Sequence, residues 1–284
     1  PGNTGIWGRL HSESQRILGH FFPHLSLWTS EKSTLHPSDL PSFFLATLKW
    51  PLALISPLLL PFAVLELWRS DVLLTVIFSH QTFLLGSAAY LLSWFFIFRR
   101  DFSGAYFSTF EHELTHAIFA WMTLHKVTGL SVTWRDGGEC RYEGRGNWLM
   151  TIAPYFFPTF LLVPLLLRTV LDSSYIALTE FLFGFFCFYH LTSTWRETHP
   201  AQTDLRRVTY LFAWLFLPTA NVMIYGFFSL MLISDIGVAW QFVFNTWHGG
   251  LSLLLDTWPT KNFWHQSDFW ILRLSQQVDS VLIP

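Results

Sequence analysis

Long apolar runs separated by short polar loops set the plan of this chain. A helix that crosses a bilayer needs about 20 mostly apolar residues. Runs of that length occupy 43–68, 72–98, 103–125, 148–171, 175–194 and 207–232. A seventh, 236–256, is interrupted by Asn245, His248 and Gly249-Gly250 and could lie along the interface. The first run contains Lys49, Pro51, Pro57 and Pro61, which makes it the least regular and a candidate re-entrant segment. Between 126 and 146 the chain turns polar. There 130–134 and 139–143 alternate apolar and polar positions around Asp136-Gly137-Gly138, a pattern that predicts a β-hairpin. The fold class is therefore an all-α polytopic membrane protein of six to seven transmembrane helices, with a short hairpin after the third. One membrane domain covers 42–256, flanked by a polar N-terminal arm at 1–41 and an interfacial tail at 257–284.

Composition agrees. Of 284 residues, 51% are hydrophobic and only 13% charged, about half the charge of an ordinary soluble domain. The net charge of −2 and the scattered Lys and Arg give no footprint for nucleic acid. Cys140 sits in the polar loop and Cys187 in an apolar run, so neither a disulfide nor a cysteine metal site is expected. No charged segment followed by an apolar stretch and a small-residue cleavage site opens the chain, so no signal peptide is expected. The hairpin loop and the loop at 195–206 are the richer in basic residues, against Arg99, Arg100 and Arg168 on the other side. The positive-inside rule places those two loops in the cytosol.

The sharpest chemistry lies inside the third run, at His112-Glu113-Leu114-Thr115-His116. Residues four apart share a helix face, so both imidazoles can hold one ion while Glu113 stands about 100° round. Two histidines and one further protein ligand leave a zinc ion with a fourth position for water. Glu113 would activate that zinc-bound water as general base. Ionisable groups inside a membrane are costly and gather at functional sites, and this run adds Glu111 to the three.

The third ligand must come from elsewhere, and 190–204 is the best region. Asp204 stands just ahead of an apolar run, where the helix dipole favours a carboxylate. His190 is the main rival ligand, and Glu197, seven residues further on the same face, is a second. For substrate binding, Val132 and Trp134 on the hairpin could capture an extended peptide by β-augmentation. Asn147 and Asn221 could donate hydrogen bonds to the scissile carbonyl or its oxyanion.

With those residues in view, the chain resembles the site-2 protease family of intramembrane zinc metalloproteases, the M50 peptidases. The resemblance spans about 103–232. It rests on Glu111-His-Glu-Leu-Thr-His-Ala117, the polar hairpin directly after it, the segment Asn147-Trp-Leu-Met-Thr-Ile-Ala-Pro154 and a later helix-leading Asp. It implies one zinc per chain on His112, His116 and Asp204, with Glu113 as base. It also implies a transmembrane or membrane-proximal protein substrate in the lipid bilayer, and a multi-pass location in a bacterial inner membrane. The family pattern usually follows its Asp with Gly. Here the context is Gln202-Thr203-Asp204-Leu205, closer to divergent bacterial members.

Two other readings stay open on sequence. A membrane-embedded protease of soluble peptides would take Glu197 as third ligand, in the gluzincin manner. A non-catalytic membrane scaffold or complex subunit would hold a structural metal, or none.

Overall fold

The computed structural model describes residues 37–99, 101–134, 137–199 and 201–256. The N-terminal arm, except for 37–41, and the whole C-terminal tail lie outside the described residues. Ten helices and one hairpin follow in chain order among these residues. They are α1 (Asp39–Arg69), α2 (Val72–Ser79), α3 (Gln81–Ser93, continued by a π-turn at Trp94–Phe98), α4 (Asp101–Met122), β1 (Val127–Val132) and β2 (Gly138–Tyr142). Then come α5 (Trp148–Ile152), α6 (Leu162–Val170), α7 (Ile176–Glu197), α8 (Thr203–Val208), α9 (Tyr210–Ile233) and α10 (Ile236–Asp256).

Among the described residues, four stretches are long and apolar enough to cross a membrane: Asp39–Ser79, Gln81–Phe98, Ser173–Glu197 and Tyr210–Ile233. A fifth is available if the bent pair Trp148–Tyr155 and Thr159–Val170 is one span. Helices α4 and α10, counted as spans from the sequence, fall outside this set.

The apolar runs translate into helices with four departures. The first run is one continuous helix of 31 residues, not a re-entrant segment, although Pro51, Pro57 and Pro61 lie inside it. Proline leaves a backbone group unpaired in a helix, and neighbouring hydroxyls commonly compensate in membranes. Here Ser56 donates to the Leu52 carbonyl and Thr219 of α9 to the Ser56 carbonyl, beside rather than at the Thr47, Ala53 and Pro57 carbonyls that lose their i+4 donor. The second run breaks at His80 (φ −115°, ψ 58°), where α2 ends and α3 begins. His80 leaves the helix to donate from Nδ1 to Glu180 of α7 at 2.9 Å, and Thr82 donates to the same carboxylate.

The run at 148–171 is a bent element, its halves meeting at 73°. Pro154 and Pro158 cannot donate backbone hydrogen bonds and disfavour helix in the residue before them. Side chains take over at the break: Asn221 donates to the Tyr155 carbonyl, and the Phe160 N–H donates to Glu111. Finally, the run at 207–232 starts as a spanning helix only at Tyr210. Thr209 adopts φ 73°, a left-handed conformation uncommon for a β-branched residue, and separates α8 from α9.

Side-chain size sets how closely the helices approach. A Cβ on Gly86 of α3 would fall 1.9 Å from the Phe181 carbonyl oxygen, and one on Gly184 of α7 2.1 Å from that of Phe83. The two backbones are therefore in direct contact, as small residues permit between membrane helices. The core nearest the site joins Trp148, Met150, Ile152 and Tyr155 of the bent element to Leu205, Val208 and Phe212. Leu205 and Val208 are buried there, which draws α8 inward.

Candidate metal centre

Helix α4 supplies the first two groups. His112 and His116 lie one turn apart with ring centroids 4.8 Å from each other. The inward fold of α8 brings in the third. Asp204 Oδ2 stands 3.2 Å from His112 Nε2 and 3.3 Å from His116 Nε2. Among the described residues these three form the one group with ligand atoms close enough for a metal ion, all within 4.8 Å. Asp204 reaches the histidines because α8 is a separate short helix whose Leu205 and Val208 are buried in the core.

The far side of each imidazole decides what its near side offers. His116 Nδ1 lies 2.7 Å from the Met150 carbonyl. A carbonyl only accepts, so Nδ1 carries the proton. His112 Nδ1 donates to Glu197 Oε2 at 2.7 Å, and Glu197 also accepts from Ser108. In the neutral imidazoles both Nε2 atoms then turn lone pairs toward the Asp204 carboxylate. Three electron-rich atoms converging in this way need a cation between them. Ligands about 2.0–2.1 Å from a tetrahedral zinc ion stand about 3.3 Å apart, which is the spacing of the two histidine–aspartate pairs. The donor set therefore fits zinc, and its outer contacts are those that orient metal-binding histidines.

Asp204 lies outside the spanning helices. Burial alone would raise its carboxyl; with the imidazoles protonated at Nε2 as well, their hydrogen bonds and charge outweigh this and hold it well below the usual carboxylate range, so protons and a metal ion compete for the same three atoms.

Glu113 projects to one side of this group, under the hairpin. Strand β2 pairs antiparallel with β1, with Leu130 opposite Cys140 and Val132 opposite Gly138. Gly138 lies so close to α4 that a Cβ would meet Glu113 Cγ at 2.5 Å and Thr109 Cγ2 at 2.6 Å. The Cys140 backbone faces the Glu113 carboxylate. The Cys140 thiol is pushed up to about 11 by burial and by Glu113, so it stays protonated near neutrality. A cavity of about 520 Å³ opens over this ensemble, with His112, Glu113, His116, Glu197 and Asp204 in its lining. Residues of β2 line it as well; those of β1 do not.

The remaining sequence-nominated residues lie elsewhere. His190 is buried apart from the centre, donating from Nδ1 to Glu111 at 3.2 Å while Thr194 donates to its Nε2. Glu197 stands behind His112 rather than beside Asp204. Val132 is on the strand away from the cavity, and Trp134 follows the end of β1, stacked on Tyr106 at 4.0 Å. Asn147 caps α5 by accepting from the Met150 N–H, and so steadies the residue whose carbonyl holds His116. Asn221 serves the bend of 148–170, as described. Sequence reasoning missed Ser108 and Met150. Ser108 is four residues before His112 on the same face, a signal present in the spacing; the Met150 carbonyl leaves none.

Comparison with curated proteins and with solved structures returned no match. A family model described as Peptidase M50B-like matches residues 88–257, more than half of the chain and all of the elements that build the centre. The histidine pair, the later aspartate and the hairpin between them thus fall inside one recognised unit, and the chain belongs to the Peptidase M50B-like family of the site-2 protease (M50) group.

Proposed function

We propose that the protein is an intramembrane zinc metalloprotease that hydrolyses peptide bonds within or near the bilayer. The observation that carries this reading is the convergence of His112 Nε2, His116 Nε2 and Asp204 Oδ2 beside Glu113 in an open cavity. These three residues would hold the ion, and Glu197 and the Met150 carbonyl would orient the imidazoles from behind. A bound zinc ion supplies Lewis acidity there, acidifying water and polarising a carbonyl. Glu113 then takes a proton from the attacking water and returns it to the leaving amine. The Cys140 backbone and the close cover of Gly138 fix its carboxylate for both transfers.

A helical substrate hides its peptide bonds, so cleavage needs an extended stretch. Strand β2 borders the cavity, and its outer edge is suited to receive such a stretch by β-augmentation. Val132 and Trp134 would support that strand from behind. The six- to seven-span arrangement, the bacterial inner membrane and the cytosolic side of the site loops belong to the same proposal.

The test is cleavage of a membrane-anchored peptide reporter by purified, zinc-loaded protein in lipid nanodiscs. Cleavage should stop on chelation and in Glu113→Gln, which keeps its zinc. Equal cleavage by wild type and Glu113→Gln would overturn the assignment of the base. Absence of cleavage by the zinc-loaded wild type across a reporter panel would favour the scaffold.

A further inference from the structure

The cavity over the metal centre is polar where an apolar transmembrane segment would have to lie. Its lining away from the ligands includes Ser108, Thr109, His199, Gln202 and Thr203, with Met150 and Tyr142 as the large apolar contributions. An unwound segment laid there can satisfy some of these groups with its backbone, but apolar side chains would cover the rest without offering them hydrogen bonds, which is costly.

Two guanidinium groups also line the cavity, Arg196 and Arg207. Arg196 is anchored, donating to the Phe98 carbonyl at the end of the neighbouring helix. Arg207 differs. It is exposed, sits three residues after Asp204 on the same short helix, and has no hydrogen bond or ion pair among the described residues. Three other basic residues described outside the cavity are paired: Arg69 with Glu66, Lys126 with Glu143, and Arg141 with Glu139. Residues i and i+3 share a helix face, so Arg207 is held on the side of α8 that carries Asp204. Its charge is felt by Tyr142 of β2, and both residues line the cavity.

We propose that Arg207 is a specificity-determining residue of this cavity, selecting extended, polar substrate segments that carry an acidic side chain within a few residues of the scissile bond. The proposal rests on the metalloprotease reading. It narrows the substrate class to segments that carry an acidic residue close to the scissile bond. A carboxylate on the substrate would give Arg207, which has no hydrogen bond or ion pair among the described residues, a charge-assisted and potentially bidentate contact.

Matched peptide hydroxamates test this without needing the natural substrate. They carry glutamate, glutamine or lysine at each of the first three positions from the zinc-binding group. Affinity is measured on zinc-loaded protein in neutral detergent, so that no anionic lipid competes. At one position the glutamate compound should bind wild type about tenfold tighter than the glutamine compound, the scale of one well-placed charged contact. Arg207→Gln should abolish the difference, and Arg207→Glu should transfer the preference to lysine, with zinc content unchanged in both. A glutamate preference that survives both substitutions, or none in wild type, overturns the proposal while leaving the metalloprotease reading intact. Failure of every hydroxamate to bind zinc-loaded wild type overturns both.

Discussion

Two clusters of histidine and carboxylate lie within one turn of each other on α4, and they have opposite characters. Around His112 and His116 the side chains keep 10% and 13% of their exposure, and that of Asp204 keeps 15%. Around Glu111 and His190 each keeps 3%. In the first cluster the outer nitrogens are occupied and the inner ones converge on a carboxylate beside a cavity. In the second, Glu111 accepts from the Phe160 N–H and from His190, and His190 accepts from Thr194. Nothing there is left to offer a ligand. The same residue types inside one helix thus do different work. The Glu111 cluster satisfies a backbone group exposed by the bend after Pro158, and the His112 cluster presents unsatisfied lone pairs to water. Convergence and access separate a site from a structural knot; residue type does not.

Substitutions should divide along the same line. The largest effect falls on Glu113→Gln. Peptide hydrolysis should drop by about a hundredfold to ten-thousandfold, the range for loss of a general base, while bound zinc measured by mass spectrometry is unchanged. Next, Glu197→Gln should weaken zinc binding by about 10- to 100-fold, as loss of an outer partner of a metal-binding histidine does. Competition with a chromophoric chelator would read this, and full occupancy should return at saturating zinc. Loss that saturating zinc cannot restore would instead make Glu197 a ligand.

In the sealed cluster the signature reverses. Glu111→Gln or His190→Ala should cost about 1–3 kcal/mol of stability, the penalty for a buried group left without its partner. Denaturant unfolding in detergent measures it, with zinc per folded chain staying near wild type.

Much of this contrast was legible in the sequence, and the reasons for the rest are specific. The four-residue spacing of His112 and His116 and the alternation around Asp136-Gly137-Gly138 report local geometry, so the helix face and the hairpin could be read directly. The strands are displaced, however: β1 starts at Val127 and ends before Trp134. Asp204 could be nominated, but not its route to the centre, because a threonine at position 209 gives no sign of a left-handed break. The bend between Pro154 and Pro158 was signalled by its prolines and masked by the unbroken apolarity around them. The division of labour between Glu197 and His190 could not be read at all. Each depends on a partner some 80 positions away in the chain.

A smaller effect links the hairpin to the open cluster. Cys140 is held at about 11 by burial and by the charge of Glu113. Its thiolate, and hence its alkylation rate, should therefore be low at pH 8 and climb through pH 11. Removing that negative charge lowers the thiol's pKa, so Glu113→Gln should speed alkylation about threefold at pH 8. Mass spectrometry of the Cys140 peptide would measure the rate; no change would separate the thiol from the base.

The most direct test is the zinc content of detergent-purified wild type beside His116→Ala, Asp204→Ala and His190→Ala. The account predicts about one zinc per chain in wild type, its loss from the first two variants, and its retention in His190→Ala. Zinc kept by Asp204→Ala but lost from His190→Ala would contradict the centre described here, as would well-folded wild type that takes up no zinc when it is supplied.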